Sequence, residues 1–119
     1  MSVLICAGPA VSPSVNDPFT DFAVAIIAEG DSRVVHVSGE LDLATRDQLY
    51  VACTSGNHPN MVVDLTRVTF MDCSGYESLV ASRLVVESVD RRFTVRGATG
   101  QPAHLLALIE TLESAQAAR

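Results

Sequence analysis

An α/β domain with a single mixed β-sheet of four to five strands, covered by three or more α-helices, is what the sequence predicts. Three observations lead there. The chain has 119 residues, enough for one domain of ordinary size and too few for two cores. Hydrophobic residues make up 48% and charged residues 18%, the balance of a chain that buries a core rather than a disordered one. Short β-branched runs alternate with stretches of helical spacing in the order β-β-α-β-α-β-α, the pattern of one sheet with helices packed on it.

Residues 1–20 are rich in Ala, Ser, Pro and Val and are interrupted at Pro9, Pro13 and Pro18. They are expected to form a flexible arm with one short strand near Val3 to Cys6. The domain proper is expected over residues 21–114, with 115–119 as a tail. The apolar run from Phe22 to Ile27 fits a strand, and Glu29-Gly30-Asp31-Ser32 supplies turn chemistry. Arg33 to Ser38 follows as a second β-branched stretch, so the pair predicts a hairpin. A first helix is expected from about Leu43 to Cys53, stopped by Thr54-Ser55-Gly56-Asn57. Met61 to Leu65 is short and apolar enough to be a central strand. The second helix is expected from near Ser74 to about Val89, with Tyr76, Leu79, Val80 and Leu84 along one face. Phe93 to Arg96 is the fourth strand. The third helix has Pro102 in its first turn and a stripe of Leu105, Leu108, Ile109 and Leu112.

Composition narrows the function. A net charge of −6 argues against binding nucleic acid or an anionic membrane through a basic face. All eight cationic side chains are Arg, and without lysine there is neither a Schiff-base nucleophile nor a P-loop lysine. With no Trp, two Tyr and four Phe, the chain is poor in stacking surface for bases or sugars. Cys6, Cys53 and Cys73 are odd in number and widely spaced, which predicts a reducing compartment and no disulfide framework. The N-terminus lacks the basic region of a signal peptide, and no apolar run approaches the roughly 20 residues of a membrane span. The expected location is the cytoplasm. His36, His58 and His104 are not at metal-ligand spacing with one another or with a Cys pair, and the glycines are scattered. No cofactor or metal is expected, and no pair of carboxylates stands out as a general acid and base. The chain is therefore predicted not to be an enzyme.

Two segments remain. In Val37-Ser38-Gly39-Glu40-Leu41-Asp42, Gly39 permits an unusual backbone angle and Asp42 is placed to cap the helix expected from Leu43. A capped strand-to-helix turn accounts for the segment, except for Glu40, which is left exposed without a structural task. In Phe70-Met71-Asp72-Cys73-Ser74-Gly75, an apolar pair precedes small polar residues that open a long helix. Asp72 or Cys73 occupies the cap, and the free N–H groups of the first turn point outward. Their partial positive charge tolerates an added phosphoryl group and favours the thiolate of a cysteine placed there. The plainer reading, an Asp72 cap with a tight Cys73-Ser74-Gly75 turn, is the one that physics alone favours.

At these two segments the chain resembles the STAS family, and within it the bacterial anti-sigma factor antagonists. The resemblance spans about residues 22–114 and rests on Gly39-Glu40-Leu41-Asp42 and Phe70-Met71-Asp72-Cys73-Ser74-Gly75. The element order and the run from Phe93 through Pro102 to the last helix also agree. The resemblance implies a STAS-like fold and partner switching. The unmodified antagonist binds an anti-sigma factor, usually a kinase of the GHKL ATPase type, and frees a sigma factor for transcription. The kinase phosphorylates a Ser after the Asp of the second motif, the added charge ends the complex, and a phosphatase restores it. By position, Asp72 matches the family Asp, Ser74 the second small hydroxyl residue and Gly75 the Gly.

Cys73 departs from the family, standing where the phosphorylated Ser or Thr is carried. Three readings follow: binding without such regulation, phosphorylation of Ser74 instead, or a response of Cys73 to oxidation, with Cys53 and Cys6 as candidate thiol partners. A shift of one residue turns a helical side chain by about 100°, which ranks Ser74 below the other two. The expected regulatory positions are Cys73 and Ser74. The expected partner surface holds Gly39, Glu40, Asp42, Met71, Asp72, Gly75 and Tyr76, although Tyr76 equally suits the core. The chain is expected to be a monomer or a weak dimer. The competing readings are a STAS docking module of another signalling or transporter-accessory complex, and a nucleotide-binding STAS domain, for which the chain lacks a phosphate loop.

Overall fold

The computed structural model describes residues 22–117, with side chains described to residue 112. The expected arm at 1–20 and its short strand lie outside the described residues. The elements follow the expected order: β1 (Ala23–Glu29), β2 (Ser32–Leu41), α1 (Arg46–Thr54), β3 (Asn60–Met71), α2 (Cys73–Glu87), β4 (Arg92–Arg96) and α3 (Gly100–Ala117).

The described strands form one sheet in the order β1-β2-β3-β4. β1 and β2 are an antiparallel hairpin, closed at Gly30 with φ of 60°. β2 with β3 and β3 with β4 are parallel, each pair joined by a crossover through a helix. The mixed sheet agrees with the sequence prediction. Val35, Val37, Met61, Val63, Leu65 and Phe93 meet Leu49 and Cys53 of α1 and Leu79 and Val86 of α2 in the core, and Leu105 and Leu106 of α3 pack against it. Among the described residues, no helix is long and apolar enough to cross a membrane.

Several boundaries differ from expectation. β2 extends past Ser38 to Leu41, and β3 runs past Leu65 to Met71. Parallel pairing of the two strands continues through register shifts at His36/Ser38 and Gly39/Glu40. Ladder hydrogen bonds thus carry polar residues that break the apolar pattern. α1 starts at Arg46 rather than Leu43, because Leu43 and Ala44 form a separate turn.

The buried face of α2 is Gly75, Ser78, Leu79, Ser82 and Val86, whereas Leu84 from the expected stripe is 64% exposed. Small residues win here because α1 lies close against α2. Ser78 Oγ donates to the Arg46 carbonyl at 2.8 Å, and Ser82 Oγ donates to the Ser78 carbonyl at 2.8 Å. α3 turns Leu105, Leu106 and Ile109 toward the molecule and leaves Leu108 and Leu112 more than half exposed.

Candidate functional site

Parallel pairing brings the two singled-out segments together. Glu40 lies opposite Phe70 and Leu41 opposite Met71, so both segments sit side by side at the carboxyl ends of β2 and β3. Ligand sites of α/β sheets form at such strand ends. The Asp72 N–H donates to the Leu41 carbonyl at 3.2 Å and ties the second turn to the first. Leu41 and Met71 are wholly buried, while Glu40 and Phe70 are exposed on the other face. Met71, expected as an apolar surface contact, therefore has its side chain in the core, and Phe70 presents 41% of its surface instead.

The first turn is held by Asp42 and Thr45. Gly39 has φ of 93°, in the left-handed region that favours glycine. Asp42 does not cap α1. Its Oδ1 accepts from the Ala44 N–H at 3.0 Å, and its carbonyl accepts from the N–H groups of Thr45 and Arg46 at 3.1 and 2.9 Å. Asp42 thus closes the turn ahead of the helix, and Thr45 takes the cap position without a side-chain cap bond. The Thr45 hydroxyl donates to the Glu40 carbonyl at 2.8 Å and accepts from the Asp42 N–H at 3.0 Å. Sequence reasoning missed Thr45, whose 4% exposure comes from tertiary packing.

The second turn follows the plainer sequence reading. Asp72 is the N-cap of α2, and its Oδ1 accepts from the Gly75 N–H at 2.9 Å. Cys73 is the first helical residue and is exposed, whereas Ser74 is half-buried. Gly75 is buried, and a Cβ there would run into the Leu41 carbonyl oxygen and lie 2.8 Å from Leu41 Cγ. Only glycine lets α2 begin directly on the end of β2. Tyr76 is half-buried and lines a groove with Leu79 and Val80.

Gln101 was also missed. Its side-chain amide accepts from the Met71 N–H and donates to the Met71 carbonyl, both at 2.8 Å. β4 pairs with β3 only as far as Asp64 opposite Arg96. Past that point the outer edge of β3 has no neighbouring strand among the described residues, and Gln101 offers the donor and acceptor that a strand would supply.

Cys53 is not a disulfide partner for Cys73. Its thiol is buried beside Ser82 and pushed up to about 12, mainly by loss of solvent. Ser82 lies nine residues along α2 from Cys73, roughly 13 Å at the helical rise, while a disulfide needs Cα atoms within about 7 Å. Cys6 lies outside the described residues.

Away from the strand ends, Asp64 binds Arg96 Nε at 3.0 Å and lies 3.8 Å from His36 Nδ1. Its carboxyl is held down to about 2, first by the hydroxyl and backbone N–H of Thr66 and then by Arg96. A carboxylate pinned in that way is not poised for proton transfer. Among the described residues, no three His, Cys, Asp or Glu side chains converge as metal ligands.

The family described as Mlab, STAS domain matches residues 24–112. No curated protein sequence matches the chain. Among solved structures, an anti-sigma factor antagonist from Mycobacterium paratuberculosis is 29% identical at a TM-score of 0.62, covering 76% of this chain and 82% of that one. The STAS domain of an antisigma-factor antagonist from Rhodobacter sphaeroides is 22% identical at 0.57, covering 64% and 86%. A sulfate transporter family protein from Wolinella succinogenes is 13% identical at 0.62, covering 74% of each chain. At these identities the last two share the fold alone. The match over residues 24–112 places this chain in the STAS domain family.

Proposed function

We propose that this STAS domain acts by occupying a protein partner without catalysis, and that the partner is an anti-sigma factor whose capture frees a sigma factor for transcription. The observation that carries the reading is the junction of the two turns. Leu41 and Met71 pair beneath it, the Asp72–Leu41 hydrogen bond locks it, and Glu40, Phe70 and Cys73 are exposed around it. A rim set before contact loses little entropy on docking. The partner class follows the mycobacterial antagonist, at 29% identity, over the sulfate transporter family protein, at 13% with the same TM-score of 0.62.

The test is association with a co-encoded anti-sigma factor of the ATPase type. The unmodified chain is expected to bind. Glu40→Arg and Cys73→Glu are each expected to weaken binding at least about tenfold, or about 1.4 kcal/mol. Full affinity in both variants overturns the surface. No association at all overturns the partner class and leaves a STAS docking module of another signalling or transporter-accessory complex.

The thiol of Cys73 removes the family's phosphate acceptor, so binding here is either unregulated at this position or controlled by oxidation. Ser74 is the weaker acceptor, being half-buried and turned by about 100° from Cys73. Oxidation suits an exposed thiol: a hydroperoxide transfers one oxygen to Cys73 Sγ, giving a sulfenic acid, and is itself reduced to water or an alcohol. Mass spectrometry over residues 72–75 after incubation with ATP and partner, with and without peroxide, separates these readings. Phosphate on Ser74 overturns both. Partner binding that peroxide lowers equally in the parent and in Cys73→Ser overturns oxidant control through Cys73.

A further inference from the structure

The amino ends of the parallel strands hold a second cluster. Arg33 lies at the start of β2, Arg91 just before β4 and His58 just before β3, so all three sit at the end opposite the paired turns. The loop from Gly56 to His58 joins them. Arg91 Nε donates to the His58 carbonyl at 2.6 Å, and Nη1 donates to the Gly56 carbonyl at 3.3 Å. The Arg33 guanidinium lies against the same glycine, where a Cβ would fall 3.1 Å from Nη1 and 3.3 Å from Cζ.

Two like charges therefore meet at one loop. Among the described residues neither forms an ion pair, since the pairs present use Arg46, Arg96 and His36. Glu87 and Asp90 line a shallow groove with Arg91 and Arg92 but do not pair with them. The Arg33 guanidinium is held below its ordinary pKa, chiefly by loss of solvent and further by the charge of Arg91.

Among the described residues, the buried side-chain nitrogens left without a hydrogen-bond partner are Arg33 Nε, His58 Nδ1 and Arg91 Nη2, all in this cluster. Buried donors are normally satisfied, and each one left without an acceptor weakens the fold. For the two guanidinium nitrogens, which can only donate, the shortage is of acceptors, and it falls where positive charge gathers in a chain of net charge −6.

We propose that this cluster is an oxyanion site that takes a phosphate group between Arg33 and Arg91. Planar guanidinium forks match phosphate oxygens two at a time, and His58 with its proton on Nδ1 adds a third donor. Occupancy ties the loop after α1 to the starts of β2 and β4. It leaves the paired turns free, so anion and partner bind together.

The test titrates the isotope-labelled full chain with inorganic phosphate against chloride at fixed ionic strength, following amide resonances and Tm. Saturable shifts are expected at Gly56, His58 and Arg91, with a Tm that rises with phosphate. Arg33→Gln breaks no hydrogen bond among the described residues. It is expected to lower phosphate affinity at least tenfold while leaving Tm in chloride unchanged. Absent or unsaturating shifts overturn the site, as does a phosphate response that Arg33→Gln leaves intact. Arg91→Gln is the weaker variant, because it also removes two bonds to the loop.

Discussion

At the carboxyl ends of β2 and β3, the backbone is held from several sides: Asp72 caps α2, Thr45 bridges Glu40 and Asp42, and Gln101 clasps Met71. At the amino ends, Arg33, His58 and Arg91 keep three buried nitrogens without a hydrogen-bond partner. The two glycines show the same contrast. A side chain at Gly75 would meet the backbone of Leu41, while one at Gly56 would meet the movable guanidinium of Arg33. Groups already satisfied by the fold give a shape fixed before contact, which suits protein docking. Donors lacking an acceptor mark the end where a ligand is still to be received.

The most severe way to break the docking end is Gly75→Ala. The Leu41 carbonyl cannot yield without moving β2, so a loss of about 3 kcal/mol or more is expected in urea unfolding. Thr45→Val keeps the volume but removes the hydroxyl that serves Glu40 and Asp42, with an expected loss of about 2 kcal/mol by the same measurement. Gln101→Ala frees both backbone groups of Met71 and is expected to cost about 1–2 kcal/mol. Hydrogen exchange at the Met71 amide should speed up with it.

Asp64 sits between the two ends, where β4 stops pairing. Its folded pKa of about 2 lies below the ordinary 3.8, so it stabilises the fold fully above pH 4 or so. That contribution is lost as pH falls through about 2. Asp64→Asn is expected to remove about 1 kcal/mol at neutral pH and to flatten stability over this acid window, as read by urea unfolding in a pH series. Gly56→Ala sharpens the contrast of the two glycines. With φ of 77° and only a flexible side chain to displace, it is expected to cost about 1 kcal/mol, well short of Gly75→Ala.

The candidate docking site was legible in part. Asp72 as cap of the second helix followed from residue type and position, because a cap bond reaches only three residues along the chain. The same local logic failed at Asp42, because Thr45 offered its turn a competing set of bonds. Gln101 carries no local signal, since its partner Met71 comes from another part of the chain. Hydrophobic spacing found Leu79 but not the rest of the buried face of α2, because the close approach of α1 favours Gly75, Ser78 and Ser82 over Leu84. Arg33 and Arg91 gave no hint of each other, being brought together by strands that are not neighbours in the sheet.

By itself the sequence determined the order of elements, the hairpin, the mixed sheet and the two segments on which the family resemblance rests. These depend on apolar periodicity, turn residues and caps, whose physics acts within a few residues. Only the tertiary structure decided that Leu41 and Met71 lie side by side, that Gly75 has no room for a side chain, that Cys53 is out of reach of Cys73, and that two arginines share one loop, each with a buried nitrogen left without a partner. Burial, register and like-charge proximity depend on which distant segments come into contact, and that is settled when the sheet assembles.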